Sequence, residues 1–172
     1  MVIAAAPYDG RQLYTLWSEM ECFTQSVDTV VLAVPDWSNK LVSQFADLVR
    51  SSIPHFISGQ VKLITKYFVN DRYDVGLWCD GLQSMEENTD DEDGHHTLSD
   101  YDEFAILNDS VFALRPFSDV LDVLKQRNVR MASVSYSKAA KNFKGYGDEH
   151  YWLESVFRAF DRPGLDVFRN YS

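Results

Sequence analysis

Residues 101–112 are the most informative stretch of the chain and read YDEFAILNDSVF. An apolar run within it, Phe104–Leu107, predicts a buried strand. That strand stops abruptly at three small polar residues: Asn108, Asp109 and Ser110. In α/β proteins, ligands bind beyond the carboxyl ends of the sheet strands. Polar residues there are unsuited to a buried core but able to bind a ligand. The stretch therefore predicts an α/β protein, with Asp109 as the first candidate for its site.

Strand-like apolar runs alternate along the chain with runs of apolar residues at helical spacing. This alternation predicts βαβ units and a mainly parallel central sheet flanked by helices, in a single domain spanning residues 1–172. The predicted strands are Val2–Ala6, Thr29–Val34, Val61–Val69, Glu103–Leu107 and Val129–Val134. The predicted helices are Arg11–Phe23, Leu41–Val49 after an N-cap at Ser38, Asp74–Leu82 capped by Asp74, Pro116–Gln126, and a short one from Pro163. The segment Tyr151–Phe160 fits either a strand or a helix.

The predicted topology gathers polar segments at one edge of the sheet. Right-handed crossovers place the carboxyl ends of parallel strands on the same rim. Four polar segments follow predicted strands and are expected to meet there: residues 7–9 (PYD), 35–37 (PDW), 70–72 (NDR) and 108–110 (NDS). We therefore expect the functional site on this rim.

Charge and hydropathy exclude some classes of partner. The formal net charge is −10 at pH 7, which speaks against a general affinity for nucleic acid or anionic membranes, since both need a basic surface. No apolar run approaches the ~20 residues of a membrane span, and the first residues lack the basic segment of a secretory signal. Two compartments agree with the sequence: the cytoplasm and, if a longer precursor exists, the Golgi lumen.

Two further features have simple interpretations. Residues 84–100 (SMEENTDDEDGHHTLSD) are acidic and too polar to fold alone, so we predict a disordered loop, in which His95 and His96 are solvated rather than metal ligands. Cys22 and Cys79 lie outside any CxxC motif and are interpreted as buried free thiols.

Two polar segments are candidate sites, and each has a structural alternative. Asp109, between an amide and a hydroxyl, offers hard oxygen ligands to Mg²⁺ or Mn²⁺, or it forms the turn that leaves the strand. In the second segment, Arg72 could pair with a phosphate and Gly76 would let a ligand approach closely. The alternative there is a helix start capped by Asp74, with Trp78 in the core.

Three stretches give the chain a resemblance to a known family. Residues 70–78 (NDRYDVGLW) are similar to the Asn-x-Gly-Tyr-Asp-x-Gly-x-Trp segment of the rhamnan synthesis protein F family, whose members resemble GT-A type glycosyltransferases. Residues 101–111 resemble its Tyr-Asp, apolar strand and Asn-Asp-Ser block. Residues 154–157 (ESVF) stand where that family has Gln-Ser-Tyr-Phe, with His150 upstream. Order and spacing agree over roughly residues 70–168, apart from the acidic insertion.

The resemblance implies a Rossmann-like GT-A fold and transfer of a sugar from a nucleotide-sugar donor to a glycan acceptor. It implies a divalent metal, Mn²⁺ or Mg²⁺, held on the donor diphosphate by Asp109. Asn108 and Ser110 stand where such enzymes usually carry two aspartates. The substrate-binding residues predicted in the matched part of the chain are Arg72, Asp74, Gly76, Asn108 and Ser110. Tyr8 and Asp9, outside that part, are of types that suit contacts to the base or ribose. Glu154 and His150 are the candidates for the catalytic base. The alternative is a non-catalytic module that binds glycan or nucleotide on the same fold.

Overall fold

The structure is a computed structural model that describes residues 1–69, 73–86, 97–109, 116–126, 128–134, 136–138, 151–153 and 157–171. Within these residues the strands are β1 (Val2–Ala4), β2 (Thr29–Pro35), β3 (Lys62–Phe68), β4 (Glu103–Asn108), β5 (Met131–Ala132), β6 (Tyr136–Lys138), β7 (Tyr151–Leu153) and β8 (Phe157–Asp161). The helices are α1 (Gly10–Thr24), α2 (Asn39–Ser52), α3 (Pro54–Ile57), α4 (Tyr73–Ser84), α5 (Ser118–Leu124) and α6 (Arg162–Tyr171). Short 3₁₀ turns span Asp36–Ser38 and Leu98–Asp100.

The central sheet has six strands in the order β3-β2-β1-β4-β8-β5. Strands β1 to β4 run parallel to one another, while β8 is antiparallel to both β4 and β5. Strands β6 and β7 form a separate antiparallel pair. The α/β fold class and the mainly parallel central sheet predicted from the sequence are confirmed.

Helices cover both faces of the sheet because its central strands are apolar on both sides. All seven residues of β2 are buried, and side chains alternate between two core clusters. One cluster joins the sheet to α1, α2, α3 and α5, and the other joins it to α4 and α6. No helix among the described residues is both long and apolar enough to cross a lipid bilayer.

Helix α4 lies directly on the sheet. Gly81 faces β1 and β2 so closely that a Cβ atom there would stand 2.7 Å from Cγ1 of Val2 and 3.1 Å from Cβ of Ala33. One turn earlier, Trp78 is 1% exposed, and its indole N–H donates a hydrogen bond of 2.8 Å to the carbonyl oxygen of Leu107. The seating of α4 is therefore fixed by a close backbone approach at one point and a hydrogen bond at the other.

Several predicted boundaries differ from the structure. Strand β1 ends at Ala4, and the strand predicted over 129–134 shortens to the two residues of β5. Residues 151–160 do not form one element, because β7 and β8 join different sheets. Ser38 is not a side-chain cap for α2, since its hydroxyl donates instead to the carbonyl oxygen of Pro35 at 3.0 Å.

The acidic segment predicted over 84–100 has ordered ends on both sides. Ser84 is the last residue of α4, and Met85 and Leu98 are both buried. The backbone N–H of Leu98 donates to the carbonyl oxygen of Met85 at 3.0 Å, so the two ends meet. Residues 87–96, with His95 and His96, lie outside the described residues.

Cys22 and Cys79 are free, as predicted, but each is only partly buried. In α1 the deeply buried positions belong to Met20 and Phe23, both 0% exposed, and Cys22 packs at the margin of that cluster. Burial raises the pKa of the Cys22 thiol, with smaller contributions from the nearby glutamates. A raised pKa makes the thiolate, the reactive form, scarcer than in an exposed cysteine.

Candidate functional site

We call the space beyond the carboxyl ends of β1 and β4, which are neighbours in the sheet, the crevice. The chain continues from β1 to β2 on one side, while β4 and β8 lie on the other, so the strand order reverses at this point. Ala4 pairs with Asn108 in the parallel register, which places the residues after both strands side by side. Open α/β sheets bind their ligands at such switch points.

Asp109 joins the ends of the two strands. Its backbone N–H donates to the carbonyl oxygen of Ala4 at 3.0 Å, and its Oδ2 accepts from the backbone N–H of Ala6 at 3.0 Å. Burial raises the pKa of Asp109 above its usual value, the nearby charge of Asp74 raises it further, and the hydrogen bond from Ala6 opposes both. A half-buried carboxylate with a raised pKa is typical of functional sites.

Asp74 is the second carboxylate of the crevice. Helix α4 begins at Tyr73, which has a left-handed φ of 56°, so Asp74 lies inside the first turn and is not the predicted N-cap. Its Oδ2 accepts a hydrogen bond of 3.2 Å from the side-chain amide of Asn108. Backbone strain at a bulky residue is a recurrent feature of functional sites, and here it immediately precedes a carboxylate of the crevice.

The sequence contains only part of the signal for the meeting of Asp74 with the end of β4, because the contact between α4 and β4 comes from the structure. Asp74 and Trp78 are an i, i+4 pair, so both point from the same face of α4. Because Trp78 reaches Leu107, a side chain one turn nearer the start of α4 reaches the next residue of β4, Asn108. The structure therefore brings together three predicted residues: Asp74, Asn108 and Asp109.

The donor set of the crevice suits a hard divalent cation. It offers the carboxylates of Asp74 and Asp109, and oxygen ligands of this kind are those that Mg²⁺ and Mn²⁺ prefer. In the described part of the chain, no group of three or more His, Cys, Asp or Glu side chains could hold a metal. Within that same part, no salt bridge pairs a basic side chain with Asp74 or Asp109. Proteins commonly bind Mg²⁺ through one or two carboxylates together with ligands from the substrate, so these residues fit a cation of that kind.

Two exposed aromatic rings stand beside the crevice. Tyr8 follows β1 and Trp37 follows β2, and their rings stack with centroids 4.9 Å apart and an interplanar angle of 20°. Their exposed fractions are 82% and 56%, far more than a core pair would show. The side chain of Gln12 fixes the backbone at Tyr8, whose N–H donates to Oε1 at 2.6 Å. Because the two rings stack on each other, further stacking on this pair would use the outer face of one ring.

The other predicted site residues lie in different settings. Asp9 is the N-cap of α1, accepting from the backbone N–H groups of Arg11 and Gln12, and hydrogen bonding to Arg11 lowers the pKa of its carboxyl. Gly76 is buried within α4. Four of the predicted residues lie outside the described part of the chain: Arg72, Ser110, His150 and Glu154.

Comparisons with known proteins define the class of fold. The chain has a Rossmann-like α/β fold related to the GT-A type, and the solved structures that share it include the following two. One is 4-diphosphocytidyl-2C-methyl-D-erythritol synthase from Anaerococcus prevotii, with a TM-score of 0.56 and 10% identity over 99% of this chain and 75% of that one. The other is HddC from Yersinia pseudotuberculosis, with a TM-score of 0.52 and 10% identity over 99% and 78% of the two chains.

These similarities bear on the fold alone, because at 10% identity a function need not be shared. The chain matches no protein-family model and no curated protein. The resemblance to the rhamnan synthesis protein F family is therefore not supported beyond the level of a GT-A-like fold.

Proposed function

We propose that the chain binds a nucleotide sugar in the crevice and transfers its sugar to a glycan acceptor. The observation that carries this proposal is the position of Asp109, a half-buried carboxylate at the switch point of a GT-A-like sheet, tied to Ala6 and close to Asp74. One of the two solved structures is named for a product that carries a diphosphocytidyl group. A nucleotide diphosphate is the chemistry that such a product shares with a nucleotide-sugar donor.

In this proposal the donor spans the crevice from the aromatic pair to the carboxylates. The base stacks on the outer face of Tyr8, whose other face lies against Trp37, an interaction worth about 1–3 kcal/mol for a single base. The diphosphate lies toward Asp109, where a divalent cation would neutralise its charge and assist its departure. Arg72 and Ser110 would contact the phosphates.

The chemical step is displacement at the anomeric carbon of the sugar. A hydroxyl oxygen of the acceptor forms the new bond to that carbon, and the bond from the carbon to the diphosphate oxygen breaks. The nucleoside diphosphate leaves with the electron pair, and the hydroxyl proton passes to a general base. Glu154 and His150 are the residues we propose for that base. A divalent cation held by Asp109 would stabilise the negative charge that develops on the leaving diphosphate.

A second candidate is a binding module without catalytic activity. Asn108 and Ser110 occupy the positions where enzymes of the resembled type usually carry aspartates, which favours this alternative. Both candidates predict nucleotide or nucleotide-sugar binding, and only the first predicts release of a nucleoside diphosphate.

Calorimetric titration with UDP-, GDP- and dTDP-sugars, with and without Mn²⁺, tests the proposal. We expect one of these donors to bind, and Asp109→Ala to abolish that binding. Asp102→Ala is the matched control, since it removes the same charge from an exposed position before β4, at the opposite edge of the sheet. Binding by none of the donors would refute the proposal. Binding without release of nucleoside diphosphate, in the presence of mixed glycan acceptors, would favour the non-catalytic alternative.

A further inference from the structure

The crevice holds two carboxylates that come from different elements. Asp74 belongs to the first turn of α4, and Asp109 follows β4. Each is fixed through its Oδ2 atom by a neighbour: the amide of Asn108 donates to Asp74 at 3.2 Å, and the backbone N–H of Ala6 donates to Asp109 at 3.0 Å. Because Asn108 and Asp109 are consecutive residues, the hydrogen bond to Asn108 brings Asp74 to the end of β4, where its charge acts on Asp109.

Such an arrangement is costly without a positive charge. Like-charged carboxylates at partly buried positions repel each other, and a proton or a cation relieves that repulsion. Among the described residues, no lysine or arginine forms an ion pair with either carboxylate. The N-terminal end of α4 favours a negative charge on Asp74, so it stabilises one partner without neutralising the pair.

We propose that Asp74 supplies the second carboxylate of the cation site at the end of β4, and that Asn108 is the positioning residue that holds it there. The inference deepens the proposed function, on which its cation depends. It explains how a strand end with a single aspartate can bind a divalent ion on a diphosphate: the second charge comes from α4. It also explains an amide at position 108, since a carboxylate there could not donate to Asp74 and would repel it.

Manganese binding measured by electron paramagnetic resonance tests this inference without requiring activity. The free Mn²⁺ signal is titrated with the wild-type chain, alone and with UDP, and with the variants Asp74→Asn, Asp109→Asn and Asn108→Ala. We expect Asp74→Asn and Asp109→Asn each to weaken Mn²⁺ binding by roughly tenfold or more. The control Asp102→Asn leaves the affinity unchanged. Thermal unfolding of each variant shows that the chain is folded.

The role of Asn108 is tested by a double-mutant cycle. Asn108→Ala should weaken Mn²⁺ binding in the wild-type background and have no further effect in the Asp74→Asn background, because its contribution passes through Asp74. Equal effects in both backgrounds would show that Asn108 acts independently and would overturn its positioning role.

The outcomes separate this inference from the proposed function. Mn²⁺ binding that depends on Asp109 but not on Asp74 would overturn the inference, as would a wild-type chain that binds no Mn²⁺ even with UDP. Dependence on both carboxylates in a chain that binds no nucleotide sugar would uphold the two-carboxylate site and refute glycosyl transfer.

Discussion

Leu107 and Asp109 lie two positions apart at the end of β4 and show opposite effects of burial. Leu107 is 0% exposed, and its carbonyl oxygen accepts the indole N–H of Trp78, so burial stabilises the fold there. At Asp109 burial acts against the charged form and raises the pKa. The core region and the crevice are thus built on the same two elements, β4 and α4. The contrast shows that the packed core holds the carboxylates in a position they would not adopt for stability alone.

The largest expected effect concerns the core. Trp78→Ala should reduce the free energy of unfolding by about 3–5 kcal/mol, because it leaves a large cavity under β4. Trp78→Phe keeps most of the volume but leaves the carbonyl of Leu107 without its donor, at a cost of about 1–3 kcal/mol. Urea unfolding measures both. A loss below about 1 kcal/mol for the alanine variant would contradict the role of Trp78 in seating α4.

The next effect concerns the aromatic pair beside the crevice. Tyr8→Ala should weaken nucleotide binding by about 1–3 kcal/mol and leave the unfolding free energy nearly unchanged, since Tyr8 is 82% exposed. The control is Tyr14→Ala, which removes an exposed ring, 69% accessible, from the side of α1. Calorimetry with the bound donor measures the difference. If both variants bind equally well, the base does not stack on Tyr8.

The smallest expected effect is the loss of folding stability that the charge on Asp109 causes. The pKa of Asp109 is raised by burial and by the charge of Asp74, so the folded chain favours the protonated form. The corresponding stabilisation is present at acid pH, below the ordinary aspartate pKa, and is lost as the pH rises through the raised value. Asp109→Asn cannot ionise but can still accept the N–H of Ala6. We therefore expect this variant to melt at a higher temperature than the wild type at neutral pH.

Thermal unfolding between about pH 3 and pH 8 checks the sign of this effect. The difference between Asp109→Asn and the wild type should close as the pH falls and the wild-type carboxyl takes up its proton. Saturating Mn²⁺ should reverse the order at neutral pH, because only the wild type gains from binding the cation. If the wild type is more stable than Asp109→Asn at neutral pH without Mn²⁺, the charge on Asp109 does not destabilise the fold.

The fold was predictable because each central strand is a continuous apolar run and each helix has its own apolar face. The position of β8 in the sheet could not be predicted, because the pattern of an apolar strand contains no information on its direction or its neighbour. The position of Asp109 followed from the abrupt end of β4. The approach of Asp109 to Asp74 could not be predicted, because it depends on how α4 packs on the sheet. That seating depends on packing at Trp78 and Gly81, which a single sequence does not reveal.

Gly81 sets the distance between α4 and the sheet, and through it the position of the whole helix. Asp74 lies about two helical turns before Gly81, roughly 10 Å along a rigid helix. The backbone at Gly81 rests on Val2 and Ala33, so any side chain added there would lift this part of α4 away from the sheet. The displacement would be carried along the helix to its other end and would separate Asp74 from Asp109. A residue buried in the core, with no contact to any ligand, thereby sets the spacing of two charges at the opposite end of its helix.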